Sequence, residues 1–227
     1  MTGLLMILWG AAGAIPLNPI GTPQPEGTAS LAPTAYVGPD GWFLPQLYGA
    51  VGVRNADFNV GFMGDFHPGE PGVPILDVFP RWFVTEELAL VPRVLAPIGA
   101  GAHPSAGFEL HHVYNQGPFW LTSNVGGSFR VGGDKRDGFA MLMVAPELFV
   151  NDRVSVFMEF NPTVWFEGVN LHDKNLTMLV VPGVAANLDE RCFHQISIGL
   201  QVPVAPTVGL PSLGGWYTWT VPFRKQA

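Results

Sequence analysis

Few residues in this sequence could do chemistry, so each can be tested in turn. His111 and His112 stand side by side. Two histidines ligate one metal only when both rings reach the same point. Neighbours in an extended strand project to opposite faces, so this pair is expected to hold no metal. A serine nucleophile needs a base within hydrogen-bond reach. Ser123 with His111 is the nearest combination, and its spacing does not bring the two together. The glycine-rich stretch "VGGDKRDG", 131–138, contains a lysine but lacks the setting and spacing of a phosphate-binding loop. It reads as a solvated hairpin loop. Cys192 is the single cysteine, which excludes an internal disulfide framework and a multi-cysteine zinc site. No catalytic residue, no cofactor and no enzymatic activity are expected.

What remains is a set of isolated charges and single polar residues, and their spacing points to the elements that carry them. Segments of roughly 9–15 residues alternate apolar with polar or small side chains, the period of a β-strand. In "RVSVFMEFNPTVWFE", Val154, Val156, Met158, Phe160, Val164 and Phe166 share one face. Ser155, Glu159, Asn161 and Thr163 share the other. "FWLTSNVGGSFRV", "DFNVGFMGDFH" and "AGFELHHVY" alternate in the same way. No long stretch carries the helical period with caps. Short polar turns, such as Thr85-Glu86-Glu87 and Asn151-Asp152-Arg153, alternate with longer Gly/Pro-rich links such as 67–74 and 167–174. That pattern predicts an all-β, up-and-down antiparallel barrel over 31–223 with twelve strands. Ten is the alternative if the first strand fails and the last lies outside.

Composition narrows the class. The chain has 227 residues, 13% charged and 48% apolar, with a net charge of −7 from only 11 Lys and Arg. No basic cluster offers a nucleic-acid surface. The opening run "MTGLLMILWGAAGA", 1–14, ends in Ala12-Gly13-Ala14 and fits a secretory signal. Residues 15–30 read as an extended linker and 224–227 as a short tail. No later segment reaches the ~18 apolar residues of a membrane helix.

Which strand face turns inward decides between two environments. A soluble barrel puts its apolar face in the core and shows water many charges. Here the polar face is sparse, and the apolar face is a nearly unbroken Val/Leu/Phe set, which suits lipid outside and a polar interior. The polar parity then makes Asp57, Asp65, Asp77, Arg81, Arg93, Glu109, His111, Arg130, Glu147, Glu159 and Gln195 lumen-lining. Trp82, Trp120, Trp165, Trp216, Trp219 and Phe223 fall near strand ends and are expected at the membrane interfaces. Prolines inside strands, Pro80 and Pro92 above all, remove ladder donors. They are expected at bulges or near a rim, in the half of their strands next to Thr85–Glu87.

With these features the chain resembles a small bacterial outer-membrane β-barrel of porin-like type, of no identified subfamily. The resemblance spans nearly all residues after about 31. It rests on the signal, the repeated hairpins and a last strand, "YTWTVPF", that places Tyr217, Trp219, Val221 and Phe223 on one face. It implies an outer-membrane location with both termini periplasmic, contact with outer-membrane lipid, and recognition of the last strand by the barrel-assembly machinery. The function expected is a passive pore or a structural component of the envelope. The alternatives are an anchor subunit contacting other envelope proteins of a secretion or surface-motility complex, and a soluble secreted ligand-binding β-domain.

Overall fold

Alternating side chains, turn residues at short intervals and no helix-forming segment leave the chain one economical way to satisfy its backbone. That is to pair every strand on both sides. A computed structural model shows this outcome. It describes residues 24, 26–38, 41, 43–66, 73–99, 103–132, 137–167, 176–189, 194–205 and 210–223. The expected signal, 1–14, and the tail, 224–227, lie outside the described residues, as does Cys192.

Twelve antiparallel strands form one closed barrel. They are β1 (Thr28–Val37), β2 (Phe43–Val53), β3 (Ala56–Asp65), β4 (Val73–Phe83), β5 (Leu88–Pro97) and β6 (Ser105–Gln116). β7 (Phe119–Arg130), β8 (Asp137–Phe149), β9 (Val154–Glu167), β10 (Leu176–Asn187), β11 (His194–Ala205) and β12 (Ser212–Pro222) follow. Each strand pairs with its sequence neighbours, and β1 closes the barrel on β12 from Thr28↔Pro222 to Val37↔Leu213. β1 thus begins inside the segment expected as a linker.

The short turns are built by local side-chain bonds. Thr85 Oγ1 accepts from the N–H of Glu87 at 3.2 Å and of Leu88 at 3.0 Å. Asn151 Oδ1 accepts from the N–H of Arg153 and Val154, both at 2.9 Å. These are the side-chain-closed turns that Thr and Asn favour. Gly117, at φ 59°, supplies the left-handed residue of the β6–β7 turn.

The strand prolines follow a rule different from the one expected. Pro80 and Pro92 sit directly opposite each other in the β4–β5 register. The ladder lapses there between Val78↔Val94 and Trp82↔Leu90, with no register shift. On their other sides the ladders run on, through Phe58↔Pro80 and Pro92↔Phe108. Both missing donors are collected in one seam, so neither strand bulges. Pro182 behaves likewise, paired with Met158 on β9 while the β10–β11 ladder lapses between Val180↔Val202 and Gly183↔Gly199. Among the described strand prolines, Pro203 alone stands beside a register shift, the one at Met178/Leu179.

Inside the barrel, aromatic rings lie over glycines of the adjoining strand. A Cβ on Gly61 would fall 2.2 Å from the Tyr48 ring, one on Gly183 2.2 Å from Phe157, and one on Gly214 2.4 Å from Tyr36. Glycine at these sites leaves a flat bed that a large inward ring can cover, the aromatic-on-glycine device of curved sheets. Gly61→Val is expected to cost about 1–3 kcal/mol through overpacking. Heat-modifiable gel migration of the folded form would report it as a lower unfolding temperature, whereas Gly117→Asn, in an open turn, should have a smaller effect.

Candidate functional site

The alternation read from sequence becomes two different surfaces. Along the strands the outward parity carries no Asp, Glu, Lys or Arg. Phe58, Val60, Phe62, Trp82 and Leu213 are each about half exposed on it. The charges are inside. Asp57, Asp77, Arg81, Arg93, Glu109, His111, Glu147 and Glu159 are all buried there. Arg130 lies toward the long-connection end, paired with Asp137 at 3.2 Å. Gln195 is half-buried on the inward parity near the short-turn end of β11. The Asp65 side chain lies outside the described residues.

Two clusters hold most of these charges. In the first, Arg81 grips Asp57 with both arms, Nε to Oδ1 at 2.7 Å and Nη2 to Oδ2 at 2.6 Å. Asn59 donates to Asp57 Oδ1 at 2.6 Å. The backbone N–H of Gln24 donates to Asp57 Oδ2 at 2.9 Å. The Gln24 side chain is fixed as well, donating to Thr28 at 2.6 Å and accepting from Ser30 at 2.9 Å. A residue expected in a linker is therefore built into the interior.

In the second cluster Arg93 donates to Asp77 through Nε at 2.9 Å and Nη2 at 2.6 Å, and to Glu109 through Nη1 at 2.8 Å. His111 Nε2 lies 2.8 Å from the other Glu109 oxygen. Strand neighbours on β4, β5 and β6 supply one residue or two each, so the cluster bridges three strands. Tyr48 adds a hydroxyl 3.4 Å from Asp77. Phe79 lies under the Arg93 guanidinium, 5.2 Å from ring centre to carbon. Bidentate geometry and stacking are what arginine offers and lysine does not.

Much of the rest of this half of the interior is apolar, with the polar Thr34, Gln46 and Ser105 buried beside it. Tyr36, Leu44, Tyr48, Met63, Ile75, Phe79, Val91 and Leu95 form a buried cluster, where a polar lumen was expected. Both parities of β4 are largely apolar. Only Asp77 and Arg81 reveal which side of it faces inward.

Three of the aromatics expected at the membrane interfaces are inside instead. Trp165 is buried, packed against Phe139 at 5.5 Å and donating to Thr177 at 3.1 Å. Trp216 is buried against Phe157 at 5.7 Å. Trp120 has the inward parity at the short-turn rim, half-buried 5.5 Å from Phe149. Their parity already placed them with Glu159, Thr218 and Thr122. Nearness to a strand end was the weaker guide. Trp82, Trp219 and Phe223 are exposed. Beside Trp219 the His194 ring stacks at 6.4 Å, a contact no sequence signal announced.

Histidine and serine do meet, but as a different pair. Ser123 lies across the β6–β7 ladder from His112, with 3.4 Å between Oγ and Nδ1, on the outward wall. His111 points the other way, opposite inward Asn124. Ser123 and His112 satisfy each other on an apolar surface. Among the described residues no group of three His, Cys, Asp or Glu is placed to hold a metal.

Arg93→Met would strand Asp77 and Glu109 together in the interior. Removing one partner of a buried ion pair costs about 3–5 kcal/mol, so unfolding should come at markedly lower denaturant. Adding Asp77→Asn to that variant is expected to recover part of the loss, which a double-mutant comparison would measure.

No protein-family model matches the chain, and no curated protein does. Solved structures do. An outer-membrane channel from Pseudomonas putida F1 superposes with a TM-score of 0.62 at 11% identity, over 90% of this chain and all of that one. The NanC porin gives 0.58 at 6% identity, over 85% and 98%. The transport unit of the autotransporter AIDA-I from Escherichia coli gives 0.51 at 13% identity, over 95% and 96%. At such identities the likeness is one of architecture: the chain has the fold of the outer-membrane β-barrels, in a closed twelve-stranded form.

Proposed function

We propose that the chain spans the outer membrane as a barrel closed by its own side chains, serving the envelope as a structural element and not as a standing aqueous pore. The observation that carries this reading is the packing of the inward face. Asp57, Asp77 and Glu159 are 0% exposed and Arg81 1%. Around them Tyr36, Leu44, Tyr48, Phe79 and Val91 pack together as one buried cluster. The walls of a water-filled channel would be wetted.

The membrane location rests on the outward parity, which is free of strand charges, and on strands of 10 to 14 residues that suit a tilted crossing of about 9–11 residues. In this reading the short turns and both termini face the periplasm. Tyr217, Trp219 and Val221, on the outward side of β12, are what the assembly machinery would read. A conducting role is the second reading, favoured by the likeness to a channel and a porin. An anchoring role beside other envelope proteins is compatible with the closed barrel.

Two measurements test the proposal. In planar bilayers the purified barrel should show no stable open conductance, and regular unitary steps in most insertions would favour the pore. In vesicles of brominated lipid, single-tryptophan variants retaining Trp82 or Trp219 should be quenched, and those retaining Trp165 or Trp216 should not. Equal quenching of all four would place the wrong face toward lipid.

A further inference from the structure

The chain comes to its first strand from inside the barrel. β1 starts at Thr28, on the short-turn rim. An extended chain four residues earlier would lie about 13 Å outside that rim. Gln24 is instead buried at the rim itself. Its side chain donates to Thr28 Oγ1 at 2.6 Å and accepts from Ser30, two residues further in, at 2.9 Å. Its backbone N–H donates at 2.9 Å to Asp57, an inward side chain of β3 that is 0% exposed. The reversal is made at Glu26 and Gly27. Gly27 takes φ 74°, a left-handed value that glycine adopts freely, while its N–H still holds the rim through the Gly52 carbonyl at 3.1 Å. Followed backwards from Gly27, the backbone turns into the barrel.

The residues before Gln24 suit that course. Segment 15–23, "IPLNPIGTP", lies outside the described residues and carries no charged side chain. It brings no charge to an interior whose Arg81 and Arg93 are already engaged. Pro16, Pro19 and Pro23 have no N–H to satisfy and favour an extended chain without strand partners. Twelve strands about 4.8 Å apart, tilted about 40°, enclose a ring about 24 Å across. Facing sheets interlock at about 10 Å, so the axis has width for one further extended chain. At about 3.1 Å per residue the segment reaches about 28 Å, and a ten-residue strand at that tilt rises about 25 Å. The walls offer it hydrogen bonds as well. Among the described residues Gln46 on β2, Asn124 Oδ1 and Ser128 Oγ on β7, and Thr218 Oγ1 on β12 are buried inward groups without a partner. Peptide N–H and C=O groups running along the axis supply donors and acceptors both.

We propose that residues 15–23 run inside the barrel along its axis, latched at the short-turn mouth by Gln24. The proposal rests on the closed-barrel reading and deepens it, since it names the segment that completes the closure. Asp57 then has two tasks: it pairs with Arg81 and it holds the latch.

The test uses the full chain carrying Cys192→Ser, folded in non-ionic detergent. Single cysteines are introduced as Asn18→Cys and, on an exposed turn, as Glu86→Cys. Labelling by a bulky polar maleimide is followed before and after heating. Asn18→Cys should react at least about tenfold more slowly than Glu86→Cys while the barrel is folded, as protected sites do, and equally once it is unfolded. A benzophenone side chain placed at Leu17 should crosslink within its own chain to an inward residue. Gln24→Pro, which deletes the N–H bonded to Asp57, should bring the Asn18→Cys rate up to that of Glu86→Cys. Equal rates in the folded barrel would overturn the proposal. So would Leu17 adducts only to detergent or to a second chain, or protection that survives Gln24→Pro. If that last variant does not fold, the Leu17 crosslink decides. Labelling in detergent is independent of conductance, so the two readings fail separately. Free labelling in a non-conducting barrel overturns the internal segment alone, and protection in a conducting one overturns the closed barrel alone.

Discussion

In a closed sheet every side chain points either out of the barrel or into it, and a charge on this one can go only inward. The outward parity of the strands carries no Asp, Glu, Lys or Arg, so the interior receives all of their charge. A barrel of this size has limited room inside. Charges brought together there must pair or remain a large desolvation cost. The two arginine clusters follow from that constraint. Asp57 with Arg81, and Asp77 with Arg93 and Glu109, tie successive strands across β3 to β6. Because each arginine binds two-armed, the clusters fix geometry as well as charge.

The same restriction on volume explains the glycines and the prolines. An inward tyrosine or phenylalanine needs a bed on the neighbouring strand. Gly61, Gly183 and Gly214 provide one at the points where a Cβ would collide with the ring. Proline poses the converse problem, since it takes a donor from a ladder that has no edge. Setting Pro80 against Pro92 confines the loss to one seam and leaves both flanking ladders whole. Register is kept, and with it the parity of Asp77, Arg81 and Arg93. A bulge in either strand would have turned some of those charges outward.

Strand number, strand order and the split between outer and inner faces were legible in the sequence, because period-2 alternation is a direct record of which side each residue faces. Asp57, Asp77, Arg81, Arg93 and Glu109 could be assigned to one face residue by residue. Which of them pair could not, since pairing depends on stagger between strands, and alternation is silent about stagger. The filled interior was hidden for a related reason. On β4 Ile75, Phe79 and Phe83 face inward while Leu76, Val78 and Trp82 face outward, and two apolar faces leave little alternation to read. Trp165 and Trp216 show the opposite case. Parity placed them inside, and position near a strand end drew them wrongly to the rim. Gln24 was beyond sequence reasoning altogether. Its role comes from a backbone N–H bonded to Asp57, and every non-proline residue has such a group.

Architecture alone does not distinguish a channel from a sealed strut, because two barrels with the same strand number can differ only in what their inward residues are. Here the two halves of the interior differ in how their charge is held. Across β1 to β6, paired arginines and apolar rings face inward beside a few polar residues such as Gln46 and Ser105. Across β7 to β12 the inward face mixes hydroxylic and amide residues, Thr122, Asn124, Ser155 and Thr163 among them, with the large apolar Phe139, Phe157, Trp165 and Trp216. It also holds two carboxylates without a basic side chain. Charge therefore ties β3 to β6, while ring packing, Phe139 on Trp165 and Phe157 on Trp216, fills the interior across β8 to β12.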